Sequence, residues 1–167
     1  MHSKQIVHHD LKAKNIMLHG IDRNQNNLYE HLKCCRYKII DFGLTKKYAH
    51  KRYGNDMWKV RETRHRAGSM PYTSPEKKRA PSYNPFLADC YALGVVLLQA
   101  AIGPDLLWRK FLAAKSMMTA CDEHVQSLLR CANEQSDKPE YFAAMYMLVS
   151  EPESERSHVG QVMPYFQ

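Results

Sequence analysis

Asp10-Leu11-Lys12-Ala13-Lys14-Asn15, followed downstream by Asp41-Phe42-Gly43, puts two carboxylates, an ammonium and a side-chain amide where they could share one task. Phosphoryl transfer asks little covalent work of a protein. It needs a carboxylate near the attacking hydroxyl, oxygen ligands for Mg2+, and positive charge near the transferred group. Asp10 is the right type to orient an acceptor hydroxyl and accept its proton. Lys12, two residues on, reaches the same face and would stabilise charge on the γ-phosphoryl of ATP. Asn15 offers a neutral amide oxygen and Asp41 a carboxylate, both suited to a hard cation.

These residues need short, rigid elements around them. Gln5-Ile6-Val7 is an apolar lead into the His8-His9-Asp10 turn. Asn15 to His19 and Tyr37 to Ile40 read as short strands. Between them, residues 20–36 are polar and rich in Asn and Gln, as in an exposed hairpin loop. Ala80 to Pro85 carries two prolines and Asn84, a loop signal. Phe86 to Ile102 reads as an apolar helix stopped by Gly103-Pro104. Leu106 to Ala120, Glu123 to Asn133 and Glu140 to Ser150 have helix-compatible apolar spacing, with Tyr141, Phe142, Met145, Leu148 and Val149 on one buried face. A last short helix is expected around Val159 to Phe166. The expected class is α-dominated α+β with a small β-hairpin.

His8-His9-Asp10-Leu11-Lys12-Ala13-Lys14-Asn15 together with Asp41-Phe42-Gly43 resembles the catalytic loop and magnesium-binding turn of eukaryotic-type protein kinases. The resemblance continues along the chain. Gly68 to Glu76 (Gly-Ser-Met-Pro-Tyr-Thr-Ser-Pro-Glu) resembles the substrate-docking loop that ends in Ala-Pro-Glu, with Ser74 in place of Ala. Asp89 to Gly94 resembles the start of the family's central buried helix, and Glu151 to Arg156 its late arginine loop. The resemblance implies ATP and Mg2+ as cofactors, with Asp10 and Lys12 catalytic and Lys12, Asn15 and Asp41 at the nucleotide and metal. It implies that Ser69 and Tyr72 dock the substrate and that residues 41–76 form the activation segment. It also implies a Glu76–Arg156 ion pair and an Asp89 tether on the catalytic loop. Lys12 and Ser69 match the serine/threonine branch.

The chain departs from the family in three ways. His9 stands where many kinases carry an arginine that reads a phosphorylated activation loop through bidentate pairing. A histidine has no guanidinium fork, so strict dependence on phosphorylation at Tyr53, Thr63 or Ser69 is not expected. Residues 20–36 make the Asn15-to-Asp41 interval about twice the usual span, an insertion that closure entropy tolerates. The sequence also holds no Gly-rich phosphate loop, no strand lysine of the Val-Ala-Ile-Lys type and no partner-helix glutamate. The expectation is therefore residues 1–167 as a C-terminal lobe, with the N-terminal lobe missing and its interface open to that lobe or to a partner. A non-catalytic interaction module derived from a kinase is the competing reading.

Composition bounds the rest. Of the 167 residues 44% are hydrophobic and 25% charged, as in a globular domain with a sizeable core. Net charge is +7, but residues 46–79 alone carry 11 Lys and Arg against 3 Asp and Glu. That segment reads as a solvated mobile loop; it could attract acidic protein substrates by its local field, or be quenched by an acidic partner. Tyr48, Tyr53 and Trp58 supply a few of the aromatics a nucleic-acid stripe would want, yet the segment lies where the resemblance places the activation loop, so no nucleic-acid partner is expected. The longest apolar run, Ala92 to Ile102, is broken by Gly94 and Gln99 and is too short to span a bilayer. With no secretory opening segment, an intracellular, cytoplasmic protein is expected. Cys34, Cys35, Cys90, Cys121 and Cys131 show no C-x-x-C spacing, and the nine histidines form no H-E-x-x-H pattern, so spacing implies neither disulfides nor a zinc site.

Overall fold

A computed structural model describes residues 1–20, 36–48, 50–53, 57–60, 63–103, 127, 130, 139–150 and 153–166. The expected helices at 106–120 and 123–133 and the expected insertion at 20–36 lie largely outside these residues.

The dominant element is a helix, α2 (Pro85–Ile102), preceded by a single-turn helix, α1 (Pro75–Arg79). Local chemistry sets both ends of α2. Asn84 is its N-cap, and the Asn84 side-chain oxygen accepts from the Phe86 and Leu87 amides at 3.0 and 3.5 Å. Pro85, at the first helical position, loses no hydrogen bond by lacking its N–H. Gly103, at φ 84°, ends the helix and donates its N–H to the Gln99 carbonyl at 3.0 Å. By length and composition alone α2 could cross a membrane, yet 72% of it is buried within the fold. Its apolar faces are used up by neighbours.

Two further helices follow, α3 (Pro139–Val149) and α4 (Val159–Val162). On the α3 face expected to be buried, Met145, Leu148 and Val149 are buried together with Ala144. Two layers of core result. Leu11, Tyr72, Tyr91, Val95 and Leu98 pack with Met145 and Val149, while Cys90, Ala144, Leu148 and Val162 form a second cluster.

The strands are short and paired two by two. β1 (Ile6–Val7) pairs antiparallel with β4 (Lys46–Lys47), and β2 (Ile16–His19) pairs with β3 (Arg36–Ile39) in the register Ile16↔Ile39 to His19↔Arg36. A third pair, β5 (His50–Tyr53) with β6 (Met57–Val60), joins His50 to Val60 and Tyr53 to Met57. This pair corrects the expectation of a mobile loop across the basic segment. The sequence around it carries a hairpin signal in Tyr53, the turn-forming run Gly54-Asn55-Asp56, and then Trp58 and Val60. Charge density hid that signal, because backbone pairing does not require uncharged side chains.

Helix α2 meets α3 at Gly94. A Cβ built there would lie 2.5 Å from Val149 Cγ1 and 3.1 Å from Leu148 Cβ. Alanine would gain roughly 1 kcal/mol of helix propensity, but overpacking costs typically ~1–3 kcal/mol. The obstacle is a branched side chain backed by a packed helix, so the overpacking term wins. Gly94→Ala is expected to lower the urea unfolding midpoint; a raised midpoint would show that the α2–α3 contact is loose.

Candidate functional site

His8 to Asn15 folds as a tight turn closed by a 3-10 segment, Ala13–Asn15, that runs into β2. Three anchors hold it. The Asp89 carboxylate, near the start of α2 and 3% exposed, accepts from the His8 and His9 amides at 2.7 and 3.0 Å. The Lys77 ammonium donates to the His9 carbonyl at 2.9 Å. The Asn15 amide donates to the Asp10 carbonyl at 2.9 Å. His9 is thus fixed at φ 69°, a conformation that non-glycine residues seldom adopt and that persists only when its surroundings impose it.

Within this turn the expected groups meet. Lys12 Nζ lies 2.7 Å from Asp10 Oδ2 and 2.8 Å from Ser69 Oγ, bridging the turn to the loop before α1. Asn15 Nδ2 also approaches Asp10 Oδ2 at 3.5 Å. Partial burial works against ionisation of Asp10. The hydrogen bonds from Lys12 and Ser69 and the Lys12 charge together outweigh it and hold the carboxyl below its ordinary pKa. Asp10 is therefore a carboxylate at neutral pH, with Lys12 as its counter-ion. Its Oδ1 is buried and has no hydrogen-bond partner within the protein.

Asp41 arrives by a different route. Ile40, just before it, donates its N–H to the Asn15 carbonyl at 2.9 Å, and its own carbonyl lies 3.0 Å from His8 Nε2. These bonds bring the β3 end alongside the turn. Asp41 itself adopts φ 62°, and its exposed side chain bonds only the Gly43 amide, at 3.4 Å. Asp41 thus makes no hydrogen bond to Asp10 or Asn15. Asn15 and Asp41 fit Mg2+ by donor type, since both offer oxygen.

Ser69 and Tyr72 separate. Ser69 is half-buried and joined to Lys12. Tyr72 is 7% exposed and donates its hydroxyl to Gln99 Oε1 of α2 at 2.5 Å. Tyr72 was expected at a substrate-docking surface; its ring is instead core, packed among Leu11, Tyr91 and Val95. It positions the loop from beneath. Glu76 and Arg156 meet as a bidentate pair at 2.6 and 3.1 Å. Arg156 also donates to the Ser150 and Leu87 carbonyls and lies over the Tyr91 ring. These bonds tie α1 to the start of α2 and the end of α3.

Sequence reasoning missed Lys77 and the surroundings of His9. Lys77 stands in a basic run, Lys77-Lys78-Arg79, whose sequence gives no sign that only the first is buried. Burial lowers its pKa to about 8. The His9 ring lies 2.6 Å from the Tyr48 hydroxyl through Nε2 and stacks edge-on to His65. Burial, with the Lys77 charge added, lowers His9 to about 3. His9 is neutral in the fold, and through Tyr48 and Thr63 it is linked to the segment after Asp41.

The turn thus brings together a carboxylate, its lysine counter-ion and a side-chain amide, with Asp41 following the strand beside it. The description "Protein kinase domain" matches residues 1–163, and the chain belongs to that family. Mouse serine/threonine-protein kinase SBK1 is 32% identical over 124 residues, covering 66% of this chain and 24% of the relative. Human testis-specific serine/threonine-protein kinase 4 is 35% identical over 106 residues (58% and 28%), and yeast (Saccharomyces cerevisiae) serine/threonine-protein kinase PRR1 is 35% identical over 100 residues (58% and 18%). The chain spans no more than 28% of the length of these three relatives.

Two outcomes follow from this geometry. Arg156→Ala strands Glu76 beside four lost hydrogen bonds and should cost roughly 3–5 kcal/mol in denaturant unfolding; a loss below ~1 kcal/mol would mean the pair is solvated. His9 takes up its proton near pH 6.5 when unfolded but only near pH 3 when folded. Its contribution to stability is complete above 6.5 and declines as pH falls towards 3. His9→Gln should flatten that part of the stability–pH curve relative to the parent, and parallel curves would show a solvated, ordinary histidine.

Proposed function

We propose that this chain supplies the acceptor and metal side of an ATP-dependent protein serine/threonine kinase centre. The observation that carries the reading is the Lys12 bridge: one ammonium on both Asp10 Oδ2 and Ser69 Oγ. It keeps Asp10 ionised beside the loop that would receive a substrate hydroxyl. In this scheme Asp10 accepts the hydroxyl proton, Lys12 stabilises charge on the transferred phosphoryl, and Asn15 and Asp41 hold Mg2+, which would neutralise the phosphates of ATP. The relatives named for serine/threonine kinase activity support the acceptor class.

The nucleotide side is a separate matter. The 167 residues hold no Gly-rich phosphate loop. Met1, Met17, Tyr37, Ile39 and Phe42 are all more than a third exposed, and Met1, Leu11, Ile16, Ile39 and Leu93 line an open cleft of about 330 Å³. Apolar surface gathered like this is the kind that a further lobe or a partner covers. It also gives the interaction-module reading its one specific support. Residues 41–76 act as the activation segment in this proposal, and the basic hairpin β5–β6 within it favours acidic protein substrates.

Phosphotransfer to Ser/Thr peptides should be measured for the 167-residue chain and for the chain expressed with its flanking reading frame. Turnover is expected only with the flanking sequence present. Asp10→Asn should reduce it ~10²–10⁴-fold, and Asp41→Ala should abolish it or raise the Mg2+ concentration it needs. Turnover unaffected by Asp10→Asn overturns the assignment, and inactivity of both forms decides for the interaction module. Phosphatase treatment should leave the activity largely intact, because neutral His9 meets Tyr48 rather than a phosphate; activity that needs a phosphate at Thr63 or Ser69 would count against that.

A further inference from the structure

Far apart in sequence, His2, Cys90 and His158 come together at α2. One imidazole nitrogen from each histidine and the Cys90 sulfur lie within 4.8 Å of one another. We propose that these three side chains form a binding site for a borderline-soft divalent cation of the Zn2+ class. The site is independent of the kinase reading and of the Mg2+ ligands.

The donor set makes the selection. One thiolate and two imidazoles suit Zn2+, whereas Mg2+ demands oxygen and near-octahedral order. Tetrahedral bonds of about 2.0–2.3 Å set donors roughly 3.3–3.8 Å apart, so the cluster must tighten by about an ångström. His158 is exposed in the short link before α4; its backbone is held by Gln161 at 2.7 and 2.9 Å, so the movement comes from its side chain. Cys90 cannot move, being fully buried on α2. His2 is held between these extremes. Its ring packs edge-on against Phe86 at 5.1 Å, and its Nε2 lies 3.4 Å from Asp89 Oδ2. A carboxylate beside a ligating imidazole fixes the ring and raises its basicity.

The burial gradient sets the form of the site. With Cys90 buried, His2 half-buried and His158 exposed, the three donors open to solvent on one side. That side gives the cation its access and leaves a fourth position for water. A buried thiol in apolar surroundings is normally inert; here two imidazoles give the Cys90 sulfur a reason to ionise on binding. The cation would join the N-terminal turn, the core helix and the C-terminal link, which no covalent bond connects. It would also sit next to Asp89, whose carboxylate holds the His8 and His9 amides.

The test uses the 167-residue chain stripped with a chelator and titrated with Zn2+, or with Co2+ as a spectroscopic probe, in excess Mg2+ and without nucleotide. The expected result is one equivalent bound, a thiolate-to-Co2+ charge-transfer band, and a melting temperature raised by roughly 5 °C or more at a hundredfold excess over Kd. The band should vanish in Cys90→Ala. His158→Ala, at an exposed position that leaves the core untouched, should weaken binding at least ~10-fold. Cys34→Ala with Cys35→Ala should change nothing. Absence of the band, affinity unchanged by His158→Ala, or binding that follows Cys34 and Cys35 would each overturn the site. Because no nucleotide is present, failure here leaves the phosphotransfer reading to its own test.

Discussion

Asp89 is the constraint on which the site depends. It is a carboxylate buried near the start of the longest described helix, and its two oxygens are taken by the amides of His8 and His9. A buried carboxylate is tolerable only when it is fully hydrogen-bonded. The turn therefore holds the aspartate in place as firmly as the aspartate holds the turn. His9 is fixed in a left-handed backbone conformation, Asp10 projects towards Lys12, and β2 begins where the turn ends. Because α2 is anchored at its start by Asn84 and along its length by α3, the position of Asp10 is ultimately set by core packing.

Charge is organised around that anchor with few solvated pairs. Lys77 is buried and donates to a carbonyl, and Arg66 donates to the Lys77 and Ala80 carbonyls. Arg156 shares itself between Glu76 and two more carbonyls. These cations act as multidentate donors to backbone oxygen, which makes them architectural. Much of the basicity that looked like a binding surface at 46–79 is thus partly consumed inside the fold. The neutral His9 fits the same pattern, since burial disfavours its charged form and a third cation beside Lys77 and Lys46 would be repelled.

That Asp10, Lys12 and Asn15 meet was legible because they are close along the chain, and such spacing survives in a linear text. Helix α2 was legible from its cap and its Gly-Pro stop, and α3 from its apolar face. The burial of Tyr72 was not legible, because a motif match names a neighbourhood, while burial depends on what α2 presents to it. The β5–β6 hairpin was obscured because its charges suggested solvent, although strand pairing uses the backbone. Lys77 carried no signal at all: three basic residues in a row look alike until one faces a carbonyl.

The sequence by itself determined the family, and it singled out Asp10, Lys12, Asn15 and Asp41 as the side chains on which the proposed chemistry rests. Only the tertiary structure decided which charges are buried, that Lys12 bridges Asp10 to Ser69, and that Tyr72 supports from below. It alone brought His2, Cys90 and His158 together, whose spacing along the chain gives no sign of it. The reason is physical. Catalytic turns are local and written in consecutive residues, whereas burial and long-range ligand sets depend on how α2 packs against both ends of the chain.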